Sequence, residues 1–473
     1  MRFAPIRSRR VKREATPTRV GVRARGGAAG ARTAGTPGLV GPRQRAAAAV
    51  PTIFGVTDTA YETVPAVEPA APEARLGTIV MKFGGTSVAD PEKIRRVAAR
   101  MVAAREAGAR VVGVVSAMGQ HTDELVSLAH DVSPRPKPRE LDMLISVGER
   151  ISCALVAMAI SDLGRDAISL TGSQAGIVTD TAHGKAKIVD IRAKRIHDAL
   201  DEDRIVLVAG FQGVSTAYEV TTLGRGGSDM TAVALAAAVG AEACEIYTDV
   251  DGVFTADPRL VPGAQKLHAV SYEEMLEMAA SGARVLQLRS VEFARNHDVR
   301  LHVRSTFTDE DGTWVRKEDE RMLEKAMISG VTHTVEEAVF EVRGSAPAEL
   351  FGALAAAAVN VDTVIQIGPE LVFSAPLEDR HDAEEALDRL GAAWEERSEL
   401  GKVSVVGAGM RSHPGIAARA FATLTDLGVE PRFVSTSPIK IAFYVPRTDV
   451  ERTVTALHET FELSRPEAER QHA

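Results

Sequence analysis

Two glycine-rich stretches contain the residue types that a phosphate-transfer site requires. The first glycine loop is residues 82–88, Lys-Phe-Gly-Gly-Thr-Ser-Val, and the second glycine loop is residues 222–229, Thr-Leu-Gly-Arg-Gly-Gly-Ser-Asp. Each combines paired glycines with a cation and hydroxyls, so that backbone N–H groups can approach anionic oxygens closely. The first follows the apolar run 78–81 and precedes a helical pattern that begins at Pro91. This order predicts a strand, a turn and a helix whose N-terminus points at the phosphates.

Lys82 ends the first predicted strand directly before the glycines, where an ammonium can lie between donor and acceptor oxygens. Phosphoryl transfer depends mainly on positioning and charge neutralisation, which this arrangement supplies. The pattern GxxxxGK[ST] does not occur, so the usual P-loop is excluded. A solvated lysine beside a structural turn is the alternative interpretation.

The second glycine loop adds Arg225, which suits bidentate binding of a carboxylate. It also adds Asp229, which begins a helical pattern and would either orient Lys82 or act only as an acidic N-cap. A third cluster, residues 248–259, directly follows an apolar strand. Because it lacks the carboxylate spacing and closing Glu of an EF-hand, it predicts nucleotide contacts rather than a calcium site.

From residue 78 to about residue 307, short β-rich runs alternate with helical patterns. Buried parallel strands are predicted at residues 110–115, 204–209 and 243–248. Helices are predicted at residues 122–130, 140–163 and 229–239. The alternation indicates an α/β layered domain with a mostly parallel sheet, whose ligands bind at the carboxyl ends of the strands.

Beyond residue 325 the chain contains an internal repeat at a spacing of 70 positions, in which Leu354 falls on Leu424 and Phe373 on Phe443. Each copy predicts strand, helix, strand, strand and helix, which suits a small α+β sandwich. The copies differ after their first strand. The second has a long loop at residues 408–415, and the first has lost most of it.

The formal charge of the 473-residue chain is −8, but residues 1–50 hold twelve Lys or Arg and one acid, so the remainder carries about −19. Residues 1–76 lack hydrophobic periodicity and are predicted to be a disordered basic extension. A transit segment, a nucleic-acid-binding tail and a non-native extension from an upstream start codon are the alternatives, and we favour the last. The two cysteines, Cys153 and Cys244, are predicted to be reduced core thiols. No apolar run reaches the ~18 residues needed to span a bilayer.

The glycine loops are accompanied by Ser-Val-Gly-Glu-Arg at residues 146–150 and by Gly-Ala-Gly-Met-Arg-Ser-His-Pro-Gly at residues 407–415. In these motifs the chain resembles the aspartate kinases of the amino acid kinase family, especially actinobacterial ones, from about residue 78 to residue 463. The resemblance implies a three-layer αβα domain of the carbamate-kinase type at residues 77–315, with ferredoxin-like ACT modules at residues 325–397 and 398–473.

The resemblance also implies a reaction, in which ATP phosphorylates the β-carboxylate of L-aspartate to 4-phospho-L-aspartate on the way to lysine, threonine and methionine. Mg²⁺ would come bound to the nucleotide, with no metal site of the protein's own. Lys82 and Asp229 would be catalytic. The substrate-binding residues would be Ser116, Thr122, Glu149, Arg225, Gly226, Gly227 and Ser228. The nucleotide-binding residues would be Lys82, Phe83, Gly84, Gly85, Thr86, Thr248, Asp249, Phe254, Asp257, Pro258, Arg259 and Arg284.

In this assignment Glu149 pairs with the ammonium group of aspartate and Arg225 with its α-carboxylate, while Asp229 steadies Lys82. The β-carboxylate, with a reference pKa near ~3.9, is already ionised and needs no general base. It needs relief from the repulsion between two anions, which cations and backbone N–H groups provide.

Two departures from the family pattern bear on nucleotide binding and regulation. Arginine stands at position 284 where the family commonly has lysine, which predicts an altered affinity for nucleotide. The first module lacks the family's effector loop, and its Gln-Asn-x-Ser run is replaced by Gln-Ile-Gly-Pro at residues 366–369. Asn360, Asp362 and Gln366 remain as candidate regulatory residues, and we expect inhibition by lysine plus threonine to be weakened or absent.

Two other functions remain open from the sequence: another kinase of the same superfamily, and a catalytically silent amino-acid-binding regulator. Retention of Lys82, Asp229 and both glycine loops favours the kinase. We expect a cytoplasmic homo-oligomer formed through the ACT modules, without nucleic acid or membrane partners. A short regulatory subunit could begin at Met322 or Met327.

Overall fold

The computed structural model describes residues 77–318, 328–411, 413 and 415–466. The predicted extension, residues 1–76, and the two candidate internal starts, Met322 and Met327, lie outside the described residues. The described chain forms a large domain followed by two small modules.

Strands of the large domain are β1 (Thr78–Phe83), β2 (Arg110–Val115), β3 (Ala167–Leu170), β4 (Ile177–Thr179), β5 (Ile188–Ile191), β6 (Ile205–Ala209), β7 (Gln212–Ser215), β8 (Val220–Thr222), β9 (Ala243–Thr248), β10 (Ala269–Ser271), β11 (Leu301–Ser305) and β12 (Thr313–Arg316). Its main sheet has eight strands in the order β10-β12-β11-β9-β1-β2-β6-β3. All its neighbouring strands run parallel except β11 and β12. The mostly parallel sheet predicted from the sequence is confirmed.

Helices of the large domain are α1 (Pro91–Glu106), α2 (His121–Val132), α3 (Pro138–Ile145), α4 (Val147–Asp162), α5 (Lys194–Asp201), α6 (Gly227–Val239), α7 (Tyr272–Ala280) and α8 (Leu288–Asn296). Side chains alternate across each strand, so Val80 enters a core with α5 to α8, whereas Met81 enters a core with α1 and α4. The sheet therefore lies between two helical layers, as an αβα sandwich. Cys153 and Cys244 are both buried free thiols, as predicted.

The single helix predicted at residues 140–163 is two helices that meet at Ser146. The amide of Gln212 donates a 2.7 Å hydrogen bond to the carbonyl oxygen of Ser146, and the Ser146 hydroxyl donates to the carbonyl oxygen of Met143 at 3.1 Å. By length and composition alone, the stretch Pro138–Asp162 could cross a membrane, whereas the sequence predicted no membrane span. Buried core helices share these two properties, and this stretch contributes Val156 and Ile160 to the core.

A second sheet of the large domain, in the order β5-β4-β7-β8, was not predicted. Its β7–β8 hairpin lies between β6 and the second glycine loop. The strands of this hairpin are too short for a clear period-2 pattern, which explains why the sequence did not reveal them.

Elements of the two small modules are β13 (Gly330–Thr334), β14 (Glu337–Arg343), α9 (Pro347–Ala356), β15 (Val364–Ile367), β16 (Glu370–Pro376), α10 (Arg380–Leu390), β17 (Ala393–Glu396), β18 (Leu400–Val406), α11 (Ile416–Asp426), β19 (Phe433–Ser437), β20 (Lys440–Pro446) and α12 (Val450–Thr460). The first module contains the sheet β15-β16-β14-β17, and the second contains β13-β18-β20-β19. Equivalent elements from β16 and β20 onwards are 70 positions apart, which is the spacing of the sequence repeat.

Strand β13 belongs to the second module and not to the first, in which we predicted it. We placed residues 325–397 in the first module, but β13 pairs antiparallel with β18 of the second. The first module is thus inserted between the first two strands of the second. A hydrophobic pattern predicts a strand but not its partner, which explains the difference.

The connection between the first strand and the first helix differs between the modules, as the sequence suggested. In the first module only residues 344–346 separate β14 from α9. In the second, residues 407–415 separate β18 from α11 and include a short 3-10 helix at Ala408–Arg411. The first module therefore lacks the long loop of its partner.

Lys402 of β18 joins three parts of the chain. Its fully buried ammonium donates to Asp362 Oδ2 at 2.7 Å and pairs with Glu337, both in the first module. It also donates to the carbonyl oxygen of Ala280 in α7 at 3.3 Å. Burial disfavours the charged ammonium, but the neighbouring carboxylates outweigh this effect and raise the pKa of Lys402.

We predict that Lys402→Ala lowers the free energy of unfolding by about 3 kcal/mol, because it leaves two carboxylates in a poorly hydrated junction without their cation. The urea midpoint measures the change. The control is Lys194→Ala, whose i,i+4 partner Asp198 is solvent-exposed, and which should cost less than about 0.5 kcal/mol. Equal midpoints for the two variants would contradict the importance of this junction.

Candidate active site

The first glycine loop turns sharply at the end of β1. Residues Gly85–Val88 form a 3-10 turn, and a Cβ atom on Gly85 would lie 3.0 Å from the carbonyl oxygens of both Ala117 and Gly119. The N–H of Gly119 donates to the carbonyl oxygen of Gly85 at 3.0 Å. Glycine is therefore required here for the loop after β2 to pack against the turn.

Helix α1 does not present its N-terminus as predicted. Asp90 caps it, and the Asp90 carboxylate accepts a 2.9 Å hydrogen bond from the N–H of Lys93. This bond is the main cause of the lowered pKa of Asp90. Phosphate groups at this loop would therefore meet the 3-10 turn and Lys82 rather than the α1 N-terminus.

The second glycine loop leads directly into α6. Gly226 adopts the left-handed conformation with φ of 68°, and a Cβ atom there would lie 2.0 Å from Cγ of Gln287. Ser228 and Asp229 are buried in the first turn of α6. The Asp229 carboxylate therefore lies at the positive end of the helix dipole.

Lys82 and Asp229 bring the two loops together. The Lys82 ammonium lies 2.5 Å from Asp229 Oδ1, and the two side chains are 12% and 10% exposed. The contact is an ion pair and is not aligned as a hydrogen bond to Oδ1. An ammonium held in this way, with little surrounding water, is placed to meet anionic oxygens at the mouth of both loops.

Glu149 lies near the first glycine loop through the segment that follows β2. Its Oε1 accepts a hydrogen bond from the N–H of Ala117 at 3.3 Å, whereas Oε2 is buried without a hydrogen-bond partner. Burial is the main cause that raises the pKa of Glu149 to about 7. A buried carboxylate with one unpaired oxygen is suited to receive a cationic group of a ligand.

Ser116 and Thr122 flank the same segment. The N–H of Ser116 donates to the carbonyl oxygen of Phe83 at 3.1 Å, which fixes Ser116 beside the first glycine loop. Thr122 lies in the first turn of α2. The structure thus joins Ser116 to the first glycine loop by a direct hydrogen bond and Glu149 to the same segment through Ala117, and it places Thr122 at the other end of that segment.

Arg225 reaches out of the large domain. Its side chain is 85% exposed, and its Nε lies 2.9 Å from Glu378 Oε2 in the first module. Next to it, Lys185 pairs with Asp379 at 3.4 Å. The predicted carboxylate clamp is therefore occupied by a carboxylate of the chain itself.

The residues predicted to contact nucleotide lie after β9. Thr248 donates to Asp249 Oδ1 at 3.0 Å, and Arg259 pairs with Asp257 at 2.6 Å. The hydrogen bond from Arg259 is the main cause that lowers the pKa of Asp257. Phe254 forms an isolated bridge with Lys266, and Pro258 lies between the members of the Asp257–Arg259 pair.

This nucleotide segment, residues 248–259, is packed against the second module. Ala256 belongs to the same hydrophobic cluster as Val403 and Phe443. The hydroxyl of Thr255 lies 2.9 Å from Nε2 of His458 in α12. The position of the segment therefore depends on the second module.

The residues that depart from the family pattern also face the modules. Arg284 forms an ion pair with Glu336, directly before β14. Of the candidate regulatory residues, Asp362 is held by Lys402, Asn360 donates its N–H to Asp379 at 3.4 Å, and Gln366 is exposed on the edge strand β15. The structure therefore does not gather these three side chains into one cluster.

A buried network that we did not predict holds the second glycine loop. The carboxylate of Asp142, 1% exposed, accepts hydrogen bonds from Thr222 Oγ1 at 2.6 Å, from His183 Nδ1 at 2.7 Å and from the N–H of Gly184 at 3.2 Å. Thr222 is the first residue of the loop. The sequence offered no clear signal for this role, because α3 also carries Arg139 and Glu140, which are exposed.

Comparison with known proteins assigns the domains. The chain matches the amino acid kinase family over residues 77–305 and the ACT domain over residues 403–461. It is 51% identical over 410 residues to aspartokinase of Mycolicibacterium smegmatis, across 82% of this chain and 97% of that protein. It is 46% identical over 404 residues to aspartokinase 2 of Bacillus subtilis, across 82% of this chain and 99% of that protein.

The fold is also found in a solved structure, E. coli aspartokinase III in complex with aspartate and ADP in its R-state. The TM-score is 0.73 at 24% identity, across 81% of this chain and 100% of that one. Fold, glycine loops and family matches together define an amino acid kinase with ACT modules. The chain belongs to the aspartokinase family and is an ATP-dependent aspartate kinase. The predicted family, fold class and activity are confirmed.

We predict that Asp142→Asn lowers kcat/KM for aspartate by roughly tenfold and the free energy of unfolding by about 2 kcal/mol. The new amide would place a donor against donors from His183 and Gly184. Steady-state kinetics and urea unfolding measure the two effects. The control is Asp190→Asn, which removes only an exposed pair with Arg192. An unchanged kcat/KM in the Asp142 variant would show that the network does not position the loop.

Proposed function

We propose that the two glycine loops together transfer the γ-phosphoryl group of ATP to the β-carboxylate of L-aspartate. The Lys82–Asp229 ion pair carries this proposal, because it places one ammonium at the meeting point of both loops. A carboxylate oxygen forms the new bond to phosphorus, the bond to the bridging oxygen breaks, and the products are 4-phospho-L-aspartate and ADP. No proton is transferred, so no general base is required.

Lys82 is the catalytic residue that reduces repulsion between the two anionic reactants. Asp229 keeps the ammonium oriented at a largely buried site, where its field is weakly screened. The N–H groups of Gly84, Gly85 and Thr86 would contribute fixed dipoles without reorganisation. Phe83 supports this turn from β1, where its ring stacks on Tyr247.

Aspartate would be held at its three charged groups. The buried carboxylate of Glu149 would receive the ammonium, and Ser116 and Thr122 would border the same side. Arg225 would bind the α-carboxylate, beside Gly226, Gly227 and Ser228 at the start of α6. The β-carboxylate would then face Lys82.

Arg225 must leave Glu378 to serve this role. Because Glu378 lies in the first module, its carboxylate competes with the α-carboxylate of the substrate for the same guanidinium. Both residues are well exposed, so the exchange costs little. This contact provides a route from the first module to substrate binding.

ATP would be bound by the first glycine loop, by the nucleotide segment and by Arg284. Thr248, Asp249, Phe254, Asp257, Pro258 and Arg259 supply a mixture of polar and apolar groups at a strand end, which suits a nucleoside and its phosphates. Within the described ranges no three His, Cys, Asp or Glu side chains are grouped to hold a metal ion. Mg²⁺ would accompany the nucleotide and neutralise phosphate charge.

The wider role would be the first step from aspartate towards lysine, threonine and methionine in the cytoplasm. E. coli aspartokinase III has been solved with lysine and aspartate in its T-state, which makes lysine the first effector to test here. The short connection at residues 344–346 supports weakened feedback by lysine plus threonine. The exposed edge strand β15 supports homo-oligomer formation through the modules. A chain begun at Met322 or Met327 would still include β13.

We predict that Lys82→Met lowers kcat by at least about 10³-fold with little change in fold, because the transferred charge loses its nearest cation. Aspartyl phosphate formed from ATP can be trapped with hydroxylamine. Turnover with aspartate is then compared with turnover with glutamate and with uridine monophosphate as acceptors. Lys93→Met is the control, since its partner Asp90 lies at the N-terminus of α1. Undiminished turnover of the Lys82 variant would contradict the proposed mechanism. A preference for another acceptor would contradict aspartate as the substrate.

We predict that KM for aspartate rises about tenfold as the pH falls from 8 to 6, because protonation of a Glu149 with a pKa of about 7 removes the charge that binds the ammonium. The charged groups of aspartate do not titrate in this range. Glu149→Gln should raise KM and abolish this dependence. A pH dependence that persists in the variant would assign it to another group.

A further inference from the structure

A cavity of about 510 Å³ lies on the α1 side of the main sheet, next to β1 and β9. Helix α1 forms one wall, strands β1 and β9 form the floor, and β11 with the following loop forms the other wall. We call it the α1 cavity. Its lining includes three arginines, Arg96, Arg100 and Arg304, and two acids, Glu245 and Asp309.

One of the acids is an internal counterion. Glu245 is 13% exposed, lies 3.3 Å from Arg304 Nη1 and accepts a 2.9 Å hydrogen bond from the hydroxyl of Tyr247. Burial acts to raise the pKa of Glu245, but hydrogen bonds from His302 and Tyr247 and the charge of Arg304 keep it below its ordinary value. Glu245 therefore stays ionised and balances one arginine.

The other arginines have partners that an incoming anion can replace. Arg100, 17% exposed, pairs at 2.6 Å with Asp309, whose side chain is 95% exposed, and donates to the carbonyl oxygen of Thr308 at 3.0 Å. Arg96 lies 3.7 Å from Glu92, which is 82% exposed. Ion pairs with such exposed carboxylates contribute little. In addition, Nε of Arg304 is buried without a hydrogen-bond partner.

Aromatic rings hold the guanidinium groups in place. Arg100 and Arg304 lie 5.0 Å and 5.8 Å from the centroid of the Tyr247 ring, and Arg96 lies 5.8 Å from that of Phe307. Planar guanidinium groups fixed in this way bind carboxylates and phosphates at a low entropic cost. Ile79, Met81, Ala103 and Ala104 add an apolar part to the lining.

We propose that the α1 cavity is a second ligand site, which binds a small metabolite with a short apolar body and at least two carboxylate or phosphate groups. With Glu245 committed to Arg304, two guanidinium groups remain for the ligand once Asp309 turns into solvent. The volume suits a small organic molecule rather than a macromolecule.

Ligand binding there would be transmitted to the first glycine loop. The ring of Phe83 stacks on that of Tyr247 at 4.6 Å, and the N–H of Gly84 donates to the carbonyl oxygen of Tyr247 at 3.3 Å. On the other wall, the hydroxyls of Thr306 and Ser87 lie 2.6 Å apart in a buried contact. The floor and one wall of the cavity are thus joined to the loop that carries Lys82.

The test is isothermal titration calorimetry of the full chain with two separate probes. Tricarballylate represents carboxylate metabolites, and inorganic phosphate represents phosphate metabolites. Saturating ADP and aspartate fill the catalytic site, so that the probes meet the α1 cavity. We expect at least one probe to bind with a dissociation constant below roughly 10 mM. Hydrogen exchange should slow at residues 306–309 in the presence of that probe. The probe that binds more tightly identifies the metabolite class.

Three variants make the result decisive. Arg96→Gln with Arg100→Gln should weaken binding at least about tenfold, because two charge-assisted contacts are lost. Arg105→Gln should leave the affinity of the probe unchanged, because Arg105 is on the same helix but pairs with Asp203 outside the cavity. Asp309→Asn should tighten binding about threefold by removing the competing carboxylate, a gain that misfolding does not produce. No binding of either probe, or equal affinities in all variants, would overturn the proposal.

Discussion

The ion pair between Lys82 and Asp229 is the interaction on which the rest of the structure depends. It connects the carboxyl end of a central strand with the first turn of a buried helix, and so brings two loops from distant parts of the chain to one point. Each partner would be costly to bury alone, so the pairing of the two charges favours the arrangement in which the loops meet. The αβα sandwich, with its close packing of β1 against α6, provides the rigid frame that keeps the two charges together.

The two small modules are not separate additions to this frame. Ala256 and Val261 of the large domain are part of the hydrophobic cluster of the second module, and Lys440 pairs with Glu277 of α7 at 2.8 Å. On the other side, Glu378 of the first module holds Arg225. The second module therefore supports the segment proposed to bind nucleotide, whereas the first contacts the residue proposed to bind aspartate.

The sequence predicted what depends on local pattern. Glycine spacing identified both loops, and the 70-residue repeat identified two modules. Partners that depend on tertiary packing could not be predicted: Glu378 for Arg225, Glu336 for Arg284, and β18 for β13. Asp142 was missed because its role depends on hydrogen bonds from Thr222 and His183, which lie elsewhere in the sequence. The role of Asp90 as a cap was predictable, because an acid directly before Pro91 is typical of a helix start.

The insertion of the first module between two strands of the second has a mechanical consequence. The module enters through residues 335–336 and leaves through residues 397–399, and the strands at these two points, β13 and β18, are neighbours in one sheet. Between these two connections, buried Lys402 and a hydrophobic cluster that includes Val339 and Tyr444 also join the two modules, so the base of the first module is fixed against the second. A shift of either module is therefore passed to the other, and the contact of Glu378 with Arg225 lies at the end of this joined body.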